Sequence, residues 1–127
     1  MTAIVVDTSV LIDCLRDDRK AIEALRTAIE AGDSLVASVL TKVEVLAGMR
    51  AGEERPTRRL FDVLHWVVVD DALAERAGAL ANQYARSHPG VDPVDYVIAA
   101  TVEHLHAGFM TRNVKHFPMF PGLKVPY

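Results

Sequence analysis

The segment AIVVDTSVLIDCL, residues 3–15, joins a short apolar run to a helical pattern with almost nothing between them. The run at Ala3–Val6 has the length and the continuous apolarity of a strand that is buried on both faces. Asp7 ends this run, and the two hydroxyl residues that follow can cap a helix over residues 10–15. A buried strand that passes at once into a helix is typical of a parallel α/β sheet.

The alternation of strands and helices continues along the whole chain. Such an alternation implies parallel pairing through right-handed crossovers, so the sequence predicts an α/β fold with helices on both faces of a central parallel sheet of four to five strands. Apolar, β-branched runs predict the later strands at residues 35–37, 66–69 and 109–111, with a weaker fifth at 123–125. Amphipathic spacing, caps and breakers predict the helices at residues 19–31, 39–49, 56–64, 71–87 and 93–106.

Length and composition exclude several classes of protein. The chain has 127 residues, of which 50% are apolar and 24% are charged, and these are the values of a single globular domain. Its net charge of −3 argues against general polyanion binding, so any contact with nucleic acid needs a local basic surface. Cys14 is the only cysteine, which excludes an internal disulfide. Because we also find no secretory signal and no membrane-spanning run, we expect a cytoplasmic protein.

Three carboxylates fall where a parallel sheet places its chemistry. Ligands bind such sheets beyond the carboxyl ends of the strands, at the point where the strand order reverses. Asp7 follows the first strand, Glu44 lies among apolar residues in the helix after the second, and Asp95 lies three residues after Asp92 at a helix start. Each acid could also be a helix cap or a solvated charge, but together they predict one shared pocket.

The chemistry of this acid set favours a hard divalent cation. Clustered carboxylates repel one another unless a cation neutralises them. Oxygen ligands without cysteine favour Mg²⁺, or alternatively Mn²⁺, over Zn²⁺. Such ions suit phosphodiester hydrolysis, because they orient water and offset charge on the phosphoryl oxygens.

Four segments in order resemble the signatures of PIN-domain nucleases. They are VVDTSVLID at residues 5–13, the segment around Glu44, DYVIAAT at 95–101 and TRNVKHF at 111–117. Length and spacing are most similar to the toxin (VapC) branch of bacterial toxin–antitoxin pairs. The resemblance spans nearly the whole chain and implies a single PIN-like domain over residues 1–127 with a three-layer α/β/α sandwich. The implied activity is that of a metal-dependent endoribonuclease.

The resemblance also assigns roles to individual residues. Asp7, Glu44 and Asp95 match the three central metal-binding acids of the family. The fourth family position often holds an aspartate, but this sequence has Asn113, which brings an amide oxygen and no charge, and Asp92 could partly compensate. Ser9 and Thr111 are supporting candidates as hydroxyl partners of water or phosphate. Arg112 lies next to the predicted site, and its position and charge, rather than the resemblance, make it a candidate contact to RNA phosphate.

Partners follow from the resemblance as well. It implies an RNA substrate, a cognate antitoxin that inhibits the enzyme, and a homodimer. The antitoxin groove of the family lies beside the early helices, where Cys14, Leu15 and residues 47–49 could line it.

Other proteins with this topology offer alternative readings. A receiver domain has an acid after strand three, here Asp70, and a late lysine, here Lys124, but it needs paired acids after strand one, where this chain has Thr8 and Ser9. A haloacid-dehalogenase-type phosphatase needs a second aspartate two positions after the first, where Ser9 stands. A third alternative is a catalytically weak domain that only binds RNA or a protein.

Overall fold

A four-stranded parallel sheet lies at the centre of the computed structural model, which describes residues 2–127. Its strands lie in the order β3-β2-β1-β4, and every neighbouring pair is parallel. The strands are β1 (Ala3–Val6), β2 (Ser34–Ser38), β3 (His65–Val67) and β4 (Gly108–Met110).

Six α-helices in the described residues connect these strands. They are α1 (Thr8–Leu15), α2 (Arg19–Glu30), α3 (Val39–Ala47), α4 (Glu54–Asp62), α5 (Asp71–Tyr84) and α6 (Pro93–Leu105), and a 3₁₀ turn follows β4 at Val114–His116. Within residues 2–127, no helix combines the length and the apolarity that crossing a membrane requires.

Two separate hydrophobic cores cover the two faces of the sheet. Adjacent residues of a strand point to opposite faces, and the fully buried pair Val5 and Val6 divides accordingly between the two cores. Val5 packs with α5 and α6, whereas Val6 packs with the helices α1 to α4. The structure therefore confirms the three-layer α/β/α sandwich that the sequence predicts.

The strand order reverses beside β1. The chain leaves β1 toward β2 on one side, and after β3 it returns through α5 and α6 to β4 on the other side. The carboxyl ends of β1 and β4 therefore meet at a topological switch point, where α/β sheets bind their ligands. Asp7 and Thr111 are the residues that directly follow these two strands.

Two predicted strands differ from the structure. The third strand ends at Val67 rather than at residue 69, because its partner Ser38 is the last residue of β2 and also the N-cap of α3. Val68 consequently has no strand to pair with, and it is 68% exposed. The prediction of a fifth strand at residues 123–125 is wrong, since this segment joins no ladder and follows Gly122 in a left-handed conformation (φ 82°).

Candidate active site

Asp7 is a buried carboxylate braced by hydroxyl groups. It occupies the N-cap position of α1, is only 3% exposed, and accepts hydrogen bonds from Thr111 Oγ1 at 2.7 Å and from Ser9 Oγ at 3.2 Å. Burial raises the pKa of this carboxyl above its ordinary value, although these hydrogen bonds and the nearby His116 act in the opposite direction. The carboxylate is thus fixed in position in surroundings that disfavour its negative charge.

Asp95 lies in the first turn of α6 and is the second carboxylate whose negative charge is disfavoured by its surroundings. Its Oδ2 lies 3.1 Å from His116 Nδ1. Burial, followed by the negative charges of Asp92 and Asp7, raises the pKa of Asp95 from 3.8 to about 6, and His116 opposes this rise. The buried carboxylate of Asp7 and the partly buried carboxylate of Asp95 are therefore near enough to repel each other.

Glu44 is connected to the start of α1 by a hydrogen bond from the Thr8 hydroxyl. It lies in α3, and its Oε1 accepts a hydrogen bond of 2.6 Å from Thr8 Oγ1. Thr8 is the residue next to Asp7 at the start of α1, so this bond joins the helix after β2 to the end of β1.

The loop after β4 completes the network mainly through its backbone. Thr111 is fully buried, and its Oγ1 accepts a bond of 3.0 Å from the Asn113 backbone N–H while it donates to Asp7. The Arg112 backbone N–H donates to Ser9 Oγ at 3.1 Å. The Asn113 side chain is exposed at the rim of the network.

The Arg112 side chain contacts the end of the chain. Its guanidinium lies over the Tyr127 ring, 4.9 Å from the centroid, and donates to the Tyr127 carbonyl oxygen. The Tyr127 hydroxyl in turn donates to Asp13 Oδ2 at 2.6 Å. The Arg112 guanidinium, which was predicted to contact RNA phosphate, is therefore engaged by Tyr127 in this structure.

These oxygen donors suit a divalent cation that keeps most of its water ligands, rather than one coordinated by protein side chains alone. Among residues 2–127, no three His, Cys, Asp or Glu side chains are placed to hold a metal by themselves. The expected three-carboxylate pocket is thus not preformed, because Thr8 binds Glu44 and His116 binds Asp95. Mg²⁺, however, keeps several waters and often binds through one or two carboxylates. The mutually repelling oxygens of Asp7 and Asp95 suit such an ion.

Two other acids have structural roles as helix caps. Asp92 Oδ1 accepts from the backbone N–H groups of Val94 and Asp95 at 2.8 and 3.3 Å, so it caps α6. Asp70, the phosphate acceptor of the receiver alternative, caps α5 through the Leu73 N–H at 2.9 Å. Its carboxylate is thus explained without signalling chemistry.

Sequence reasoning missed two residues of the site. From the sequence, His116 has no assigned role and Thr8 only that of a helix cap, yet they hold the carboxylates of Asp95 and Glu44. A signal for His116 was available, because it lies three residues after Asn113 within the segment TRNVKHF. Which side chain it would meet depends on the crossover to β4, and no local pattern gives that information.

Fold and site together define a class: an α/β sandwich with the carboxylates of Asp7 and Asp95 near the switch point of a parallel sheet. The sequence profile of the PIN domain matches residues 4–118. The chain therefore belongs to the PIN-domain family.

Two proteins of Mycobacterium tuberculosis are similar to the chain over almost its whole length. Ribonuclease VapC19 is 41% identical over 122 residues, which cover 96% of this chain and 98% of that protein. Ribonuclease VapC10 is 39% identical over 124 residues, which cover 98% and 92%.

A solved structure agrees with this similarity. A chain in a toxin–antitoxin complex from Klebsiella pneumoniae superposes with a TM-score of 0.79 at 29% identity, with 98% of both chains covered.

Proposed function

We propose that this protein is a metal-dependent endoribonuclease, the toxin of a toxin–antitoxin pair, and that residues 1–127 form a single PIN domain. The observation that carries the proposal is the hydroxyl-braced Asp7 at the switch point beside Asp95. It occurs in a chain that is 41% identical to a protein named as a ribonuclease. The expected reaction is phosphodiester hydrolysis of RNA.

The residues divide the work between binding and positioning. The carboxylates of Asp7 and Asp95 would bind the divalent ion, with Glu44 beside them. Thr111 and Ser9 hold Asp7, Thr8 holds Glu44, and His116 holds Asp95. The Asn113 amide, exposed at the rim, and the Asp92 charge are supporting candidates. We assign Mg²⁺ as the ion, with Mn²⁺ as the alternative.

Fixed carboxylates matter because hydrolysis needs a defined line of attack. When bound, the ion supplies positive charge that offsets the charge growing on the phosphoryl oxygens and orients water for attack. The protein contributes preorganisation, since hydrogen bonds already fix the Asp7 and Glu44 carboxylates before RNA arrives.

Substitution of Asp7 tests the proposal. With purified protein, RNA and Mg²⁺, Asp7→Asn should abolish cleavage and leave the far-ultraviolet circular dichroism unchanged. Asp71→Asn, which removes an exposed charge from α5, is the matched control and should cut at the wild-type rate. An Asp7→Asn protein that cuts RNA normally would refute the assignment, and a wild type that binds RNA without cutting it would favour the binding-only alternative.

An apolar surface beside the early helices is suited to the antitoxin. A cavity of about 400 Å³ lies between α1, α2 and α4, and the half-exposed Ile29 and Val63 contribute to it. Cys14 lines it as expected, but Leu15 and residues 47–49 do not; its other apolar residues are Ile22, Leu25 and Leu60. The similar Klebsiella chain comes from a toxin–antitoxin complex, which supports an antitoxin as the partner of this chain.

Self-association and location complete the proposal. We propose a homodimer, which light scattering on a size-exclusion column would test, and a strict monomer at micromolar concentration would exclude it. We place the protein in the cytoplasm, where cellular RNA is available.

A further inference from the structure

Four arginines fall within ten residues in and before α4. Arg50, Arg55, Arg58 and Arg59 are all exposed. In the described part of the chain, none of their guanidinium groups forms an ion pair, whereas Arg16, Arg26 and Arg76 each pair with a glutamate. The four clustered cations repel one another, and together they form a local basic surface in a chain of net charge −3.

The acids beside this cluster do not neutralise it. Both oxygens of Glu53 are engaged, one by Arg16 Nη1 at 2.7 Å and the other by the Arg50 backbone N–H at 2.6 Å. Glu54 and Asp62 lie on the arginine face, but neither forms an ion pair within residues 2–127. With Lys42, which shares the Phe61 ring with Arg58, the surface holds four cations and two carboxylates that form no ion pair.

Aromatic rings hold two of these cations. Lys42 Nζ lies 4.4 Å from the Trp66 ring centroid and 5.5 Å from that of Phe61, and Arg58 Cζ lies 5.8 Å from the Phe61 centroid. A cation held over a ring keeps its N–H donors free, unlike a cation bound to a carboxylate. Lys42 and Arg58 therefore remain available to an anion.

The surface lies apart from the apolar cavity, and one of its cations belongs to a helix of the candidate active site. Arg55, Arg58 and Arg59 line one depression on α4, whereas Leu60 and Val63 line the cavity on the other flank of this helix. Lys42 belongs to α3, the helix that carries Glu44, and it shares the Phe61 ring with Arg58. Lys42 and Glu44 are two residues apart and lie on different faces of α3, so the cations form one surface across α3 and α4 beside the helix that carries Glu44.

We propose that Lys42, Arg55, Arg58 and Arg59 form a binding surface for the phosphate backbone of the RNA substrate. The proposal rests on the proposed ribonuclease function and adds where the enzyme holds the strand. Guanidinium groups bind phosphate with two parallel hydrogen bonds. Arg55 and Arg59 rise along α4 by about 6 Å, a spacing similar to that of successive phosphates in an extended strand. Such contacts position RNA without reading its sequence.

Salt dependence of RNA binding tests this surface. Binding of labelled oligouridylate is followed by fluorescence anisotropy over a potassium chloride series, with Asp7→Asn present in every protein to prevent cleavage. Removing three phosphate contacts by Arg55→Gln, Arg58→Gln and Arg59→Gln together should lower the magnitude of the slope of log K against log salt by about 2, because each contact to a single strand contributes about 0.7.

Two further variants control the interpretation. Substitution of Arg19, Arg86 and Lys124 by glutamine removes the same charge from exposed positions elsewhere and should leave the slope near the parent value. Substitution of the three α4 arginines by lysine keeps the charge and should restore most of the slope. Thermal midpoints of all variants should agree with the parent, which separates lost contacts from lost folding.

Several outcomes would overturn the proposal. If the wild type binds and cuts RNA but the glutamine variant keeps the parent slope, the proposed RNA-binding surface is refuted. The proposed ribonuclease function is then unaffected. A glutamine variant that loses binding to polyglutamate but keeps the oligouridylate slope would show that the surface takes an acidic protein. A wild type that neither binds nor cuts RNA would remove both this inference and the proposed function.

Discussion

His116 and Asp95 lie 21 residues apart in the chain, and no local sequence pattern predicts their contact. The contact joins the turn after β4 to the first turn of α6. Hydrogen-bond partners of metal-binding side chains fix the orientation of the ligand, and their loss commonly costs about 10–100-fold in metal affinity. We therefore propose His116 as a positioning residue that acts through Asp95.

Substitution of His116 should weaken metal binding without unfolding the protein. We expect His116→Ala to lower Mn²⁺ affinity, measured by electron paramagnetic resonance, by roughly 10–100-fold. His116→Asn should recover part of the loss, because its amide can place an N–H near the position of Nδ1. His104→Ala, at an exposed position of α6, serves as the control. Equal affinity in His116→Ala and wild type would remove the positioning role.

The Asp95 carboxyl should also make stability depend on pH. Its folded-state pKa of about 6 lies above its ordinary value of 3.8, so the folded protein binds this proton more tightly than the unfolded chain. The contribution to the free energy of unfolding is therefore present at low pH and is lost as pH rises through about 6.

Asp95→Asn isolates this contribution. Without metal, the wild type should lose stability relative to Asp95→Asn between about pH 4 and about pH 7. Only the wild type has a carboxyl at position 95, and its ionisation in the folded state is disfavoured. Urea unfolding in the presence of a chelator measures the difference. A difference that stays constant over this range would contradict the raised pKa.

At the scale of residues, the sequence predicts that Asp7 and Asp95 lie near each other, which the structure shows, but not how they are held. Asp7 and Asp95 follow from one rule, since each sits at a strand end or a helix start in a parallel α/β chain. The hydrogen bonds of Thr8 and His116 depend on side-chain contacts across 36 and 21 residues, and no spacing rule reaches that far.

At the scale of elements, the start of α6 combines a cap and a charge in one residue. Asp92 Oδ1 accepts two backbone N–H bonds, and its negative charge raises the pKa of Asp95. Asparagine can keep the cap and remove the charge, whereas alanine removes both. The two substitutions therefore separate the roles.

We expect Asp92→Ala to lower the free energy of unfolding by about 1 kcal/mol and Asp92→Asn to change it little. In Asp92→Asn, a carboxyl titration followed by nuclear magnetic resonance should show a lower pKa for Asp95. If Asp92→Asn instead abolished RNA cleavage with its cap intact, Asp92 would be a metal ligand rather than a cap.

The sequence patterns predict which strands and helices form but not where every strand ends. The four strands and the helices between them were predictable from apolar runs, caps and breakers. The end of β3 was not, because the run at residues 66–69 is uniformly apolar and only the length of β2 decides where pairing ends. The expected fifth strand failed for a similar reason: residues 123–125 form no ladder, although their composition resembles a strand.

At the scale of the whole molecule, the topology creates the site. Asp7, Glu44 and Asp95 belong to three different crossovers, and only the reversal of strand order beside β1 brings Asp7 and Thr111 into contact. A parallel α/β sheet binds ligands at this edge, so the region of the site was predictable. The hydrogen bonds that Thr8 and His116 form with Glu44 and Asp95 were not.

Metal binding should stabilise the whole fold. An ion that binds only the folded state adds about 2.7 kcal/mol when its free concentration is 100 times its dissociation constant. Mg²⁺ should therefore raise the melting temperature of the wild type in a concentration-dependent way. It should leave the melting temperature of a variant that carries both Asp7→Asn and Asp95→Asn unchanged, and an equal rise in both proteins would point to binding elsewhere.

The most direct measurement is anomalous diffraction from crystals grown with Mn²⁺. The account predicts one strong anomalous peak between Asp7 and Asp95, with Glu44 on the same side, and no such peak in crystals of Asp7→Asn. Crystals of the wild type that diffract well, contain saturating Mn²⁺ and show no peak beside Asp7 would contradict the claim that these carboxylates hold the catalytic ion.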